Sequence, residues 1–224
     1  MYAGAMLRAA IFDVDGVLVD SYSAHYHSWC ALAAESELSI TEEQFAETFG
    51  RTSRDIIRRF WGADATDSSR VRELDERKEA LYREIVSAEF PVMDGAADLI
   101  DTLDDEGILL AVGSSGPPEN VALVLEQLER QQRIAAVVTG TDVTRGKPDP
   151  QVFLIAARKL GVPPDSCVVV EDAPDGIRAA HAAGMAAVAL VSTGRTKNDF
   201  IDVAPELMVE SLRDLTPDLL RALR

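Results

Sequence analysis

The stretch AAIFDVDGVLVDS, residues 9–21, decides how this chain folds and where its chemistry lies. Its apolar residues predict a buried β-strand, yet Asp13 and Asp15 stand one residue apart directly after AAIF. Burying even one unpaired carboxylate is costly. We therefore expect both aspartates to face solvent, a metal ion or a cationic partner at the end of this strand.

The composition is that of an ordinary globular chain of 224 residues, of which 47% are hydrophobic and 27% charged. This length suits one large domain or two smaller ones. The 38 acidic residues against 22 Lys and Arg give a net charge of −16, so we expect no nucleic-acid partner, because its phosphates would be repelled. We also expect no membrane association, since no segment approaches the ~20 apolar residues of a membrane helix.

The cysteines point to a reducing compartment. Cys30 and Cys167 lie far apart, and no metal-ligand spacing joins them. The N-terminal MYAGAMLRAA lacks the apolar run of a signal peptide. We therefore expect two reduced thiols in a cytoplasmic protein.

Short apolar runs alternate with helical patterns from Pro91 onward, which predicts a parallel sheet covered by helices on both faces. Asp94 is expected to cap a helix that runs through Glu106, and Gly161 to end a helix that begins near Asp149. The expected strands after the first are ILLAVG (108–113), AAVVTG (135–140), CVVVE (167–171) and AAVALV (186–191). The fold class is therefore α/β, with a Rossmann-like parallel sheet.

Residues 21–90 contain no such strand. Their patterns predict helices at about 24–36, 41–48, 53–60 and 67–88. The simplest organisation is a small all-α cap domain at 21–90, inserted into a catalytic core made of 1–20 and 91–224. We expect the cap to lie above the end of the first strand as a lid.

Ligands in an open parallel sheet bind at the carboxyl ends of the strands. The polar residues that follow four successive expected strands are Asp13 and Asp15, then Ser114 and Ser115, then Lys147, then Glu171 and Asp172. Clustered carboxylates repel one another unless a hard cation lies among them, and their oxygens suit Mg²⁺. With a lysine and a hydroxyl, such a site can hold a phosphoryl group that one carboxylate attacks while another transfers the leaving group's proton.

Each feature taken alone has a simpler explanation. Ser114 and Ser115 are also typical turn residues, and Lys147 lies in a Gly and Pro loop where a solvated lysine is ordinary. Glu171 and Asp172 also suit the acidic first turn of a helix. The ordered set after four strands favours the combined site over these separate explanations.

The segments DVDGVLVDS, GSSG, RGKPDP and VVVEDAPDGIRAAHAAGM, in this order, resemble the four motifs of the haloacid dehalogenase superfamily of phosphohydrolases. The resemblance spans essentially the whole chain. It implies that Asp13 is the nucleophile, that Asp15 is the general acid and base, and that Ser114 and Lys147 bind the phosphoryl group, with Ser115 as a further substrate-binding residue.

The same resemblance implies a Mg²⁺ site. Its ligands would be Asp13, the main-chain carbonyl of Asp15, and Asp172, with Glu171 beside it. Haloacid dehalogenases themselves lack an aspartate at the position of Asp15, so this pair of acids favours phosphate ester chemistry over dehalogenation.

The helical insert resembles the small cap of the phosphoglycolate phosphatase and beta-phosphoglucomutase branch. By this resemblance His25 falls at the mutase hinge histidine and Lys78 at a phosphate-binding cap lysine; for His25, a hinge or packing role is equally possible. The segment FGRTSRDII aligns with the mutase loop that supplies a lysine and an arginine, with Phe49 at the lysine position and Ser53 or Arg54 at the arginine. This departure counts against a strict glucose mutase, and Arg54 is as compatible with a solvated role as with substrate binding.

Three functions compete. The first is a Mg²⁺-dependent phosphatase of a small phosphorylated metabolite, such as a sugar phosphate or a phosphoglycolate-like compound, acting as a monomer or a weak homodimer. The second is a beta-phosphoglucomutase-type sugar-phosphate mutase. The third is a receiver-like signalling module that accepts a phosphoryl group, against which the second acidic pair and the helical insert both count.

Overall fold

The computed structural model describes residues 6–48, 51–62 and 67–223 of the chain. The chain folds into two compact units. One contains the described residues up to Asp20 together with those from Val92 onward, and the other is Ser21–Pro91. The first unit is an α/β sheet domain and the second is all-helical.

The sheet domain is built on a parallel sheet, as the apolar runs predict. Its strands lie in the order β3-β2-β1-β4-β5-β6, and every pairing between neighbours is parallel. The strands are β1 (Ala9–Phe12), β2 (Leu109–Gly113), β3 (Ile134–Val138), β4 (Cys167–Glu171), β5 (Ala186–Leu190) and β6 (Leu207–Val209). The Rossmann-like sheet is therefore confirmed. The edge strand β6 was not expected, because a strand of three residues, only one of them buried, carries little pattern.

The helices of the second unit are α1 (Tyr22–Glu35), α2 (Glu42–Ala46), α3 (Ser53–Trp61) and α4 (Ser68–Ala88). They enclose an apolar cluster of their own that includes Trp29, Leu32, Ile57, Trp61 and Leu74. The rings of Trp29 and Trp61 lie 6.2 Å apart between centroids. This cluster gives the helical unit its own core.

The sheet domain contains the helices α5 (Ala96–Asp105), α6 (Pro118–Gln127), α7 (Gln151–Leu160), α8 (Pro174–Ala182) and α9 (Pro217–Ala222). Side chains alternate between the two faces of a strand. Ile11 of β1 packs in one cluster with Phe153 of α7 and Ile177 of α8. Its neighbour Phe12 is equally buried but lies outside that cluster, on the other face. Helices therefore cover both faces.

One expected helix start is wrong. Helix α5 begins at Ala96, and its N-cap is Gly95 in a left-handed conformation with a φ of 84°. Asp94, the expected cap, instead forms an ion pair with Arg213 at 2.8 Å. The other boundary is confirmed, since Gly161 ends α7 in a left-handed conformation. Asp94 therefore pairs with a residue distant in the chain and is not the N-cap of α5.

No helix in the described ranges is both long enough and apolar enough to span a membrane. The 21-residue α4 has the length, but its exposed face is charged.

Candidate active site

The carboxyl end of β1 places Asp13 beside the end of β4. In the register between these strands Phe12 lies opposite Val170, and the amide of Asp13 donates to the carbonyl of Val170 at 3.0 Å. The next residue of β4 is Glu171, so the two carboxylates are brought to adjacent strand ends. This is the point where the strand order reverses, which is where open parallel sheets bind ligands.

Lys147 joins these two carboxylates. Its Nζ donates to Asp13 Oδ1 at 2.8 Å and to Glu171 Oε1 at 2.7 Å. The ammonium also lies 5.0 Å from the ring centroid of Phe153. The structure therefore brings together residues from three of the four predicted motifs in a single ion-pair network.

Asp13, Glu171 and Asp172 form a buried acidic cluster. Each offers one carboxylate oxygen, and these oxygens all lie within 4.8 Å of one another. Burial raises the pKa of Asp13 to about 7, even though Lys147 opposes the shift. Burial, and then repulsion by Glu171 and Asp13, raises the pKa of Asp172 well above its usual value.

Lys147 is the charged partner of Asp13 and Glu171. Burial alone would lower the pKa of Lys147, but attraction to Asp13 and Glu171 raises it above its usual value. The Lys147 ammonium and the Arg195 guanidinium, which also attracts Asp172, supply two positive charges against three carboxylates. Oxygen donors in this crowded arrangement fit a hard divalent cation, which would offset the remaining negative charge.

Two glycines allow the acidic residues to come this close. Gly16 has a φ of +73°, and a Cβ there would lie 2.1 Å from Asp172 Oδ2. A Cβ at Gly176 would lie 1.8 Å from Glu171 Oε1. Any side chain at either position would displace a carboxylate. The glycines of DVDG and APDG are therefore part of the site, which the sequence patterns did not single out.

Ser114 and Asp15 lie around Gly116. The Oγ of buried Ser114 accepts a hydrogen bond from the amide of Gly116 at 3.0 Å. A Cβ placed on Gly116 would lie 3.3 Å from Ser114 Oγ and 3.7 Å from Asp15 Oδ2. Asp15 is half-buried and is not a member of the three-carboxylate cluster. Ser115 is exposed.

The end of β5 contributes polar groups that sequence reasoning missed. Ser192 Oγ donates to Asp172 Oδ2 at 3.2 Å, and Thr193 Oγ1 donates to Asp20 Oδ2 at 2.9 Å. The sequence contained a signal for these residues, because the expected strand AAVALV ends at the same sheet edge and is followed by Ser and Thr. Hydroxyl residues after a strand are too common to stand out without coordinates.

In the helical unit, Lys78 of α4 is buried, which is unusual for a lysine. Its Nζ lies 2.8 Å from His25 Nδ1 and 2.8 Å from Glu79 Oε1. The same ammonium lies over the rings of Trp29 and Tyr82, at 5.4 and 5.3 Å from their centroids. The ring of His25 stacks on Tyr82 at 4.3 Å. The two cap residues that the sequence singled out are thus direct partners.

The other cap residues differ in placement. Arg54 is exposed on α3, and Ser53 begins the same helix half-buried. Phe49 lies outside the described residues.

The sequence from residue 7 to residue 184 matches the family model of the haloacid dehalogenase-like hydrolases. The chain belongs to this family. The resemblance noted in the four motifs is thereby confirmed, and membership in a family of hydrolases supports an enzyme over a receiver-like module.

Two relatives and one solved structure show which members this hydrolase is similar to. It is 32% identical over 220 residues to the beta-phosphoglucomutase of Bacillus subtilis (strain 168), covering 96% of this chain and 94% of that protein. It is 31% identical over 191 residues to the validoxylamine A 7'-phosphate phosphatase of Streptomyces hygroscopicus subsp. limoneus, covering 84% and 87%. A crystal structure of beta-phosphoglucomutase from Clostridium difficile shares the fold, with a TM-score of 0.81 at 24% identity, covering 96% of this chain and 95% of that one.

Proposed function

We propose that this hydrolase is a Mg²⁺-dependent phosphatase of a small phosphorylated metabolite, a sugar phosphate or a phosphoglycolate-like compound. The observation that carries the proposal is Lys147, which holds Asp13 and Glu171 from neighbouring strand ends at 2.8 and 2.7 Å. A cation beside a buried carboxylate can neutralise an incoming phosphoryl group while leaving the carboxylate in reach of phosphorus.

In the first step an oxygen of Asp13 attacks phosphorus and forms an aspartyl-phosphate. The bond between phosphorus and the ester oxygen breaks, and that oxygen takes a proton from the carboxyl group of Asp15. Lys147 and the hydroxyl of Ser114 bind the phosphoryl oxygens during the transfer. The substrate leaves as an alcohol, and Asp15 becomes a carboxylate.

In the second step water attacks the phosphorus of the aspartyl-phosphate. Asp15, now ionised, takes a proton from this water, and the bond between phosphorus and Asp13 breaks. Inorganic phosphate leaves, and both aspartates return to their initial states. The same residue therefore serves as acid and then as base.

The proposed cation site consists of Asp13, Glu171 and Asp172, together with the main-chain carbonyl of Asp15. Mg²⁺ bound there would neutralise charge on the transferring phosphoryl group. The crowded carboxylates support this assignment. Burial raises the pKa of Asp13 and that of Asp172, repulsion between the carboxylates adds to both shifts, and a bound divalent cation would oppose them.

The proposal is tested with Asp13→Asn. We expect this variant to lose Mg²⁺-dependent turnover of an aryl phosphate while it retains the wild-type circular dichroism spectrum. Asp175→Asn is the matched control, because Asp175 is exposed and pairs with Arg178 on the surface. Normal turnover by the Asp13 variant would end the proposal.

The substrate is sought with a screen of phosphorylated metabolites for Mg²⁺-dependent phosphate release. The names of two relatives, a beta-phosphoglucomutase and a phosphorylated carbohydrates phosphatase of Thermotoga maritima, direct the screen toward sugar phosphates. We propose that Ser115, His25, Arg54 and Lys78 contribute to substrate binding, and their variants are tested on the best substrate.

A sugar-phosphate mutase is the second candidate, and the 32% identity to a beta-phosphoglucomutase favours it. In a mutase the phosphoenzyme transfers its group to a second hydroxyl instead of to water. Incubation with beta-glucose 1-phosphate and a trace of the bisphosphate separates the two functions. We expect mainly free phosphate, whereas accumulation of glucose 6-phosphate would favour the mutase.

We further propose that the protein is cytoplasmic and a monomer or a weak homodimer. The free thiols of Cys30 and Cys167 support a reducing compartment, where disulfides are rare. Light scattering over a range of concentrations measures the oligomeric state, and fractionation of cells measures the location.

A further inference from the structure

The loop after β5 reaches the acidic cluster through Ser192. In the register between β4 and β5, Glu171 lies opposite Ala189, so the two strands end side by side. Ser192 follows the end of β5 by two residues and is half-buried. Its hydroxyl donates to Asp172 Oδ2 at 3.2 Å.

Asp172 is held by different groups from the other two carboxylates of the cluster. Asp13 and Glu171 are each held by Lys147. Glu171 has a second donor, the amide of Ala173, at 2.7 Å from its Oε2. Asp172 is buried beside the like charges of Glu171 and Asp13, which Arg195 and Lys147 oppose without removing the rise in its pKa.

Two features fix one oxygen of Asp172. On one side the backbone of Gly16 approaches so closely that a Cβ there would lie 2.1 Å from Oδ2. On another side the hydroxyl of Ser192 donates to the same oxygen. Holding one oxygen of a carboxylate fixes the rotation of the group, and therefore the position of the other oxygen as well.

We propose that Ser192 is a positioning residue for the divalent cation: by holding Asp172 Oδ2 it keeps the carboxylate oriented toward the position between Asp13 and Glu171. This inference rests on the proposed function, since it concerns the cation of that site. Groups that hydrogen-bond a metal ligand raise metal affinity, and their loss costs about 10–100-fold in affinity or activity. In this role Ser192 acts through its hydrogen bond to Asp172.

The neighbouring residue supplies a matched control. Thr193 Oγ1 donates to Asp20 Oδ2 at 2.9 Å, so it makes a bond of the same kind from the same loop to a carboxylate outside the cluster. Thr193→Val removes that bond and keeps the shape of the side chain. A general loosening of the loop would affect both variants, whereas a positioning role affects only Ser192.

The experiment is a calorimetric titration of the protein with Mg²⁺ or Mn²⁺ without substrate. We expect Ser192→Ala to raise the dissociation constant about 10-fold, and Ser192→Thr, which keeps the hydroxyl, to stay within about two-fold of wild type. Thr193→Val should bind like wild type. In turnover assays Ser192→Ala should need more Mg²⁺ for half-maximal rate but reach nearly the wild-type kcat at saturation.

Asp172→Asn distinguishes the positioning role of Ser192 from the assignment of the Mg²⁺ site itself. If wild type binds the cation, Asp172→Asn loses it and Ser192→Ala binds as wild type does, the positioning role is wrong and the proposed function stands. The positioning role is also wrong if Thr193→Val weakens binding as much as Ser192→Ala does. If wild type binds no cation, or Asp172→Asn binds it unchanged, both the inference and the Mg²⁺ assignment fall.

Discussion

Lys147 Nζ and Asp13 Oδ1 lie 2.8 Å apart although 134 positions separate the two residues in the chain. The contact exists only when β1 and the loop after β3 lie at the same edge of the sheet. Folding therefore creates the site. Burying these charges also reduces the stability of the fold unless each charge keeps a partner.

Lys147→Met tests the effect of this ion pair on stability and on activity. Removing the ammonium leaves Asp13 and Glu171 buried without their cation, so we expect a loss of about 3–5 kcal/mol in the free energy of unfolding at pH 8. We expect kcat/KM to fall at least about 10²-fold, because a charged partner of the phosphoryl group is lost. Urea unfolding and aryl phosphate turnover measure the two effects.

The control for this variant is Lys159→Met. Lys159 is a half-exposed lysine of α7 that donates to the carbonyl of Val137 at 2.8 Å. A surface substitution of this kind should change the unfolding free energy by about 0.5 kcal/mol or less. If Lys147→Met were as stable as Lys159→Met at pH 8, the buried ion pair would not have the role assigned to it.

The stability of the metal-free protein should depend on pH through Asp13. Its pKa is about 7 in the folded protein, against about 4 in an unfolded chain. The folded state therefore binds the proton more tightly, so this contribution to stability is fully present below pH 4 and is lost as pH rises through 7. We expect wild type to lose, relative to Asp13→Asn, on the order of 2 kcal/mol between pH 5 and pH 8.

Mg²⁺ should reverse this loss, because the cation binds the ionised carboxylate and displaces its proton. Thermal unfolding of both proteins at pH 5 and pH 8, with and without Mg²⁺, measures the effect. Asp172, whose pKa is also raised, acts in the same direction. Parallel pH profiles for wild type and Asp13→Asn would contradict the raised pKa.

The sequence predicts most of this site for a simple physical reason. Buried parallel strands are continuous apolar runs, and their carboxyl ends share one edge, so charged residues after each run must converge. What the sequence could not show depends on contacts distant in the chain. Asp94 pairs with Arg213 and is not the N-cap of α5. The proposed role of Ser192 depends on its Oγ lying 3.2 Å from Asp172 Oδ2.

The closeness of Gly16 to Asp172 gives a further prediction. Gly16→Ala adds a Cβ 2.1 Å from Asp172 Oδ2 at a φ of +73°, so the carboxylate must move. We expect loss of cation binding, loss of turnover and about 1–3 kcal/mol of destabilisation. Calorimetric titration with Mg²⁺ and urea unfolding measure these effects.

Gly107→Ala is the control, at a glycine with the same backbone conformation as Gly16. Gly107 also has a φ of +73°, but an added Cβ there would meet nothing within 4 Å. This variant should lose about 1 kcal/mol in the free energy of unfolding, because alanine disfavours this φ, and it should keep wild-type cation binding. If both variants kept the cation, Asp172 would tolerate displacement and its position would not matter.

Variants of Lys78 and Glu79 in the helical unit distinguish the effect of charge on stability from the effect of packing. The Lys78 ammonium lies 2.8 Å from the Glu79 carboxylate, and both side chains are mostly buried. Lys78→Met keeps the length of the side chain beside Trp29 and Tyr82 but leaves Glu79 without this cation, so we expect about 3 kcal/mol of destabilisation. Adding Glu79→Gln removes the second charge, and the double variant should recover most of that loss.

The double variant should recover stability but not substrate binding. If Lys78 supplies its positive charge to the substrate, KM for the best phosphorylated metabolite rises about 10-fold in both the single and the double variant. Arg72→Met is the control, because Arg72 is exposed on the same helix α4. Recovery of KM together with stability in the double variant would show that Lys78 only packs the helical core and does not bind substrate.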